Sequence, residues 1–301
     1  MSLKPIFVIN SLSETVARKG STLKLLADQA SVVFDDNIFD NLDKIVSAGR
    51  DSGWVMIEGG DGTAQGIISA FFNEVGQAEL MPKFTLLPGG MTNQVAKNIG
   101  LKKCTKRSVQ ALLRQPAQQI QMPLLKVSSA DYPSLYGFLF SSGGIPMVTE
   151  YTKDKLHSRG IGGSAAVLGG IIKGISGRDE TILRATNVMM KVDDKPLSGP
   201  HLGTVVTTLP SLILGLDPFW GDDDGPLRVT YVEGGAKRLA SHVTSLWMGR
   251  KTKDRSADGL YSSRASELKY SYDGPIVLDG ETLVMGPEFK VTATQPLTFV
   301  S

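Results

Sequence analysis

The sequence has 301 residues, 41% hydrophobic and 21% charged, an ordinary globular balance that excludes a disordered or fibrous chain. Its 33 glycines exceed the usual share of about 7% without any Gly-X-Y period, so collagen is excluded and many backbone positions must need positive φ or close approach by a neighbour. Thirty-two basic against 30 acidic side chains leave a net charge of +2, with no basic field to draw nucleic acid.

A single cysteine, Cys104, excludes an intrachain disulfide and a cysteine-cluster metal site, which fits a reducing compartment. Residues 1–10 lack a basic-then-apolar signal pattern, and the apolar run 165–175 is cut by Lys173. No membrane-spanning segment is therefore expected, and the expected location is the cytoplasm.

In chain order, residues 5–9 read as a strand, and 15–30 as a helix with Val16, Leu23, Leu26 and Ala30 at helical spacing. Residues 31–34 read as a second strand, followed by a helical face of Phe39, Leu42, Ile45 and Val46. Residues 54–57 make a third strand before a glycine turn and a helix with Ile67, Ile68, Phe71 and Phe72 on one face. Residues 84–87 make a fourth strand, followed by another glycine turn and a short helix over 95–99. Strands alternating with helices imply a parallel sheet covered on both faces. Beyond about Gln115 the texture changes to long alternating stretches, 182–192, 202–209, 227–232 and 277–298, punctuated by Asp-Gly, Gly-Pro and Asp-Asp pairs. Two helical interludes, 165–175 and 236–248, interrupt them. The expected division is an α/β domain over 1–120, a β-rich domain over 121–295, and a tail, 296–301, whose return to the first domain is left open.

The first turn with chemical potential is Glu58-Gly59-Gly60-Asp61-Gly62-Thr63, between the third strand and its helix. Ligands of open parallel sheets bind beyond the carboxyl ends of the strands. Glycines there let backbone N–H groups approach phosphate, and the helix amino terminus adds partial positive charge. A carboxylate such as Asp61 in that position implies either Mg²⁺ or hydrogen bonds that hold the loop. The plain alternative is a helix cap by Asp61 or Thr63. The second turn, Leu87-Pro88-Gly89-Gly90-Met91-Thr92-Asn93, repeats the arrangement, with Thr92 or Asn93 as the candidate cap.

These two loops, the second continuing Gln94-Val95-Ala96, resemble the diacylglycerol kinase catalytic domain family, which includes bacterial lipid kinases and sphingosine kinases. The resemblance continues through Asp222-Asp223-Asp224-Gly225-Pro226-Leu227, Leu246-Trp247-Met248-Gly249 and Asp279-Gly280-Glu281. It implies a doubly wound amino-terminal α/β nucleotide domain, a carboxy-terminal β-sandwich domain, and an ATP-dependent kinase acting on a lipid hydroxyl of acylglycerol or sphingoid type. The implied nucleotide contacts are Asn10, Gly59, Gly60, Asp61, Gly62, Thr63, Gly89, Gly90, Thr92 and Asn93, with Asp61 helping to organise the metal-nucleotide complex. Asp279 or Glu281 is implied as the general base, and Asp224, then Asp222, as Mg²⁺ ligands. The implied substrate partner is a lipid met peripherally at a membrane surface. The sequence departs from the family at Ser11 to Glu14, which lack its proline and glycine, at Met91, where the family has threonine, and at Gln94, where it has aspartate. The first pentapeptide is shared with NAD kinases, so a soluble small-molecule kinase is the second reading. A non-catalytic nucleotide- or lipid-binding protein is the third.

Among other features, residues 151–159 carry Lys153, Lys155, His157 and Arg159, and 209–220 are rich in large apolar side chains. A solvated helix face and a core strand are the plain readings of the two.

Overall fold

The computed structural model describes residues 4–90, 93–101, 103–115, 118–146, 184–212, 217–239, 241–242, 245 and 254–301. The chain divides into two compact units, one formed by Met1–Leu124 with Thr294–Ser301, the other by Leu125–Ala293.

Unit 1 begins with β1 (Ile6–Ile9), all four residues buried, then α1 (Glu14–Lys19), a 3-10 turn over Lys24–Gln29 and β2 (Val33–Phe34). The single helix expected over 15–30 is thus broken. Gly20 leaves α1 at φ 79°, and the buried Glu58 carboxylate accepts the Ser21 hydroxyl and the backbone N–H groups of Thr22 and Leu23, both at 2.9 Å. Those amides are therefore bonded to a side chain instead of to a preceding helical turn.

The alternation continues with α2 (Leu42–Ser52), β3 (Trp54–Gly59), α3 (Asp61–Val75), β4 (Lys83–Pro88), α4 (Gln94–Asn98), α5 (Lys106–Arg114) and β5 (Gln119–Met122). The last strand of the chain, β17 (Leu297–Val300), completes a six-stranded sheet of order β2-β1-β3-β4-β17-β5. All neighbours pair in parallel except β17 with β5. Strands buried on both faces read as continuous apolar runs, as Ile6–Ile9 and Val55–Ile57 do. One face packs Phe7, Ile9 and Met56 against Val16, Leu23, Val109 and Leu112. Around Phe84, Phe71 meets the ring edge-on at 5.3 Å and Phe299 lies at 6.2 Å.

Unit 2 is an antiparallel sheet of eleven strands. In chain order they are β6 (Leu125–Ser129), β7 (Leu135–Gly137), β8 (Leu139–Ser142), β9 (Thr186–Val192), β10 (Lys195–Thr207), β11 (Leu227–Glu233), β12 (Leu260–Ala265), β13 (Glu267–Ser271), β14 (Ile276–Leu278), β15 (Glu281–Leu283) and β16 (Glu288–Ala293). The 13-residue β10 is the branch point: its first half pairs with β9, and its second half with both β8 and β11. The alternating burial of β9 shows one face turned to the core, the period-2 signature of a half-buried strand. Leu125, Phe140, Val188, Leu227, Leu268 and Val291, from six different strands, join one core cluster. The stretch read as alternating over 277–298 is thus β14 to β17, with its final strand in the other unit. The interlude 165–175, the basic segment 151–159 and Leu246 to Gly249 lie outside the described residues, as do 213–216 of the apolar run.

Candidate functional site

In unit 1, β3 and β4 end side by side, with Gly59 paired in register with Pro88. Their two glycine turns pack backbone against backbone. The Gly89 N–H donates to the Gly59 carbonyl at 2.9 Å. A β-carbon at Gly89 would lie 2.7 Å from the Gly59 nitrogen, and one at Gly90 would lie 2.6 Å from Gly60 Cα. These glycines are required by one loop approaching the other. At Gly62 a β-carbon would meet nothing within 4 Å.

Asp61, the first residue of α3, reaches across to the second turn. Its carboxylate accepts the backbone N–H groups of Gln94 at 2.9 Å and Val95 at 3.1 Å, the first turn of α4. A negative charge there satisfies amides that a helix end leaves unpaired and complements its dipole. Of the two roles open to Asp61 in the sequence, the hydrogen bonds that hold the loop are present. Asn93 stands in the left-handed region at φ 47°; its side chain accepts the Gly90 N–H at 2.8 Å and donates to the Gly90 carbonyl at 2.7 Å.

The Asn10 side chain joins the same cluster from the end of β1. Its Nδ2 donates to Thr63 Oγ1 at 2.7 Å, and its Oδ1 accepts the Leu12 N–H at 3.0 Å. That turn forms without the proline and glycine of the family pattern because Ser13 also donates its hydroxyl to the Asn10 carbonyl, at 2.8 Å. Thr15, not singled out in the sequence, donates its N–H to the Gly89 carbonyl and its hydroxyl to that of Gly90, both at 3.0 Å. The structure therefore brings together Asn10, Gly59, Gly60, Asp61, Gly62, Thr63, Gly89, Gly90 and Asn93. Met91 and Thr92 lie outside the described residues. Between the turns lies a recess of about 10 Å³, lined in part by Gly59, Gly60, Asp61 and Asn93, the room of about one water.

Glu58 is the residue that sequence reasoning passed over. It is 3% exposed, stands one residue before the end of β3, and fastens residues 21–23 beside the loop it precedes. The signal was a lone carboxylate closing an apolar strand. The Cys104 thiol donates to it at 3.6 Å. Burial, and then the Glu58 charge, push that thiol up to about 12, so it stays protonated at neutral pH.

The remaining candidates lie in unit 2. Asp279 and Gly280, at φ 50° and 93°, form the two-residue hairpin turn between β14 and β15, where Leu278 pairs with Glu281. Positive φ at both central residues is what this tight turn requires. Both Asp279 oxygens accept the Phe138 N–H at 3.0 Å, and Oδ1 accepts that of Leu139 at 2.8 Å, so the carboxylate ties the hairpin to the β7–β8 junction. Glu281 begins β15 and is exposed. Asp222, Asp223 and Asp224 form an exposed turn before β11. There Gly225, at φ 142°, lets the chain pass the Ala265 backbone, 2.4 Å from where a β-carbon would stand. Among the described residues, no group of three or more His, Cys, Asp or Glu side chains is placed to hold a metal.

The fold and site together define a parallel α/β unit, with two interlocked glycine turns on its carboxyl edge, in a chain whose other unit is antiparallel β. Residues 10–124 match the model of the diacylglycerol kinase catalytic domain. Solved structures agree on the fold. A diacylglycerol kinase from Bacillus anthracis str. Sterne superposes with a TM-score of 0.69 at 14% identity, over 99% of this chain and 96% of that one. A putative diacylglycerol kinase from the same organism gives 0.69 at 13%, with the same coverage. An NAD kinase from Archaeoglobus fulgidus in complex with ATP gives 0.51 at 12%, over 99% and 93%. No curated protein matches the sequence.

Proposed function

We propose that the protein is an ATP-dependent lipid kinase, transferring the γ-phosphoryl group to a hydroxyl of an acylglycerol or sphingoid lipid. The observation that carries this reading is the pair of interlocked glycine turns braced by Asp61. The 15-residue α3 opens at Gly60 with no side-chain cap, and the open space at Gly62 leaves its first-turn backbone approachable. An uncapped helix start suits a phosphate. Since the recess between the turns holds about one water, the nucleotide would lie across the turns on their backbone groups. The NAD kinase neighbour, whose structure was solved with ATP, supports a nucleotide at this fold.

Mg²⁺ suits this donor set only as a companion of the phosphates, since it is commonly bound through one or two carboxylates plus substrate oxygens. Asp61 would hold it, and the ion would neutralise phosphate charge. A lipid hydroxyl also needs a proton acceptor. We assign acceptance to Glu281, exposed at the start of β15, and positioning of the hairpin to Asp279, whose carboxylate accepts the Phe138 and Leu139 N–H groups. Among the described residues no helix is long and apolar enough to cross a membrane, and we infer peripheral encounter with the bilayer from the cytoplasmic side.

The test is transfer of labelled phosphate from ATP·Mg²⁺ to mono- and diacylglycerols, ceramide and sphingosine, with NAD as control. We expect a lipid product from the native chain, loss of most activity in Asp61→Ala, and a loss of about 10²- to 10⁴-fold in Glu281→Gln with the fold retained. ATP·Mg²⁺ should also raise the melting temperature, corresponding to about 2.7 kcal/mol at a hundredfold excess over Kd. Product from NAD alone would overturn the lipid reading, and the absence of both product and thermal shift would overturn the kinase reading.

A further inference from the structure

Unit 2 contains a cavity of about 170 Å³ that phosphoryl transfer at the glycine turns does not use. It has room for several waters or one small organic molecule. Leu197, Pro200 and His201 of β10 line it, with Tyr231 and Glu233 of β11 and the following Gly234. It sits where the β10–β11 register shifts between His201 and Gly203. Such irregularities re-aim side chains and recur beside functional sites.

Two of its polar side chains are fixed by ring stacking. His201 is 2% exposed and stacks on Tyr231 with ring centroids 5.2 Å apart, and Tyr231 stacks in turn on Tyr261 at 4.6 Å. The Nδ1 of His201 lies 3.2 Å from Thr204 Oγ1, so a proton on Nδ1 leaves Nε2 as an acceptor. Glu233 is the one charged residue among the described residues lining the cavity. Its charge reaches all three rings: it adds to the burial that pushes the tyrosine hydroxyls up, and opposes the burial that lowers His201. A stacked, buried pair beside a carboxylate is pre-organised, which reduces the ordering cost of binding.

We propose that this cavity binds a primary ammonium group. Its three N–H donors match three acceptors: the Glu233 carboxylate, the Tyr231 hydroxyl oxygen and His201 Nε2. An anion would meet the carboxylate without a compensating cation. A neutral diol would forgo the charge-assisted bond, which is roughly twice as strong as a neutral one.

Calorimetric titration of the full chain at neutral pH tests this. Ethanolamine should bind, while ethylene glycol, its neutral counterpart, and choline, which has no N–H to donate, should bind at least about tenfold more weakly. Glu233→Gln, at an exposed position, should weaken ethanolamine by a similar factor, and so should Tyr231→Phe, which keeps the ring stack. Short-chain phosphatidylethanolamine separates the sources: binding of free base and lipid assigns a headgroup, and binding of the base alone a soluble amine, either of which supports the site. Equal binding of ethylene glycol, unchanged affinity in Glu233→Gln with circular dichroism intact, or no heat from ethanolamine would each overturn the proposal.

Discussion

Gly60 and Gly90 occupy the closest backbone approach in the candidate site, and Gly62, two residues further on, faces open space. The contrast separates what the fold needs from what a ligand needs. Gly90→Ala forces a β-carbon against Gly60 and is expected to cost about 1–3 kcal/mol, read by urea unfolding. Gly62→Ala should change stability by no more than about 0.5 kcal/mol, yet raise the KM for ATP if phosphate lies against the start of α3. His201 supplies a pH signature. Burial holds its imidazole below the usual value of about 6.5, against the opposing pull of Glu233. The folded state then binds fewer protons than the unfolded chain, so the contribution is complete above about pH 6.5 and is lost as pH falls toward the folded value. Asp258, held below the usual carboxylate range by Arg238 and His242, loses its share in a more acidic window. The decline in stability from about pH 7 to about pH 5 should flatten in His201→Gln, measured by urea midpoints across that range.

Among the elements, the strands of the parallel sheet were the most legible, because β1, β3 and β4 are apolar runs ended by glycine or polar turns. The break between α1 and the 3-10 turn was not. The spacing of Val16, Leu23 and Leu26 is helical, and all three are buried, but Glu58 takes the amides that a continuous helix would have used. Glu58→Ala would leave the Thr22 and Leu23 N–H groups unsatisfied, each at about 1–3 kcal/mol. A loss of about 3 kcal/mol in denaturant unfolding is the expected result, and no loss would show that the segment finds other partners. α5 was missed because only Val109 and Leu112 of its nine residues are buried. In unit 2, β7 has three residues, too few to display a period. The Asp279-Gly280 turn was readable as a hairpin. Its carboxylate bonds to Phe138 and Leu139, some 140 residues away in sequence, were not.

For the whole molecule, the decisive arrangement is that both ends of the chain build unit 1. β17 lies between β4 and β5, its Phe299 buried near Phe84, and the Val300 carbonyl accepts the Thr85 hydroxyl at 3.0 Å. A fragment ending at Leu124 would leave β4 as an open, apolar edge and β5 without a partner, the condition that favours aggregation. We expect that fragment to be insoluble, and a version with residues 294–301 joined through a flexible linker to be soluble and cooperatively folded. Equal solubility of both, by sedimentation, would show that β17 is dispensable.

The sequence by itself determined the two textures, the order of the early strands and helices, and the glycine turns that carry the family resemblance. These depend on residues a few positions apart, whose spacing is set by the periods of helix and strand. Only the tertiary structure decided that the glycines of one turn exist to admit the other, that Asp61 braces α4, that Glu58 breaks a helix, and that His201, Tyr231 and Glu233 share a cavity. Each of those joins residues from separate elements, so it depends on strand order and register, which local spacing does not encode.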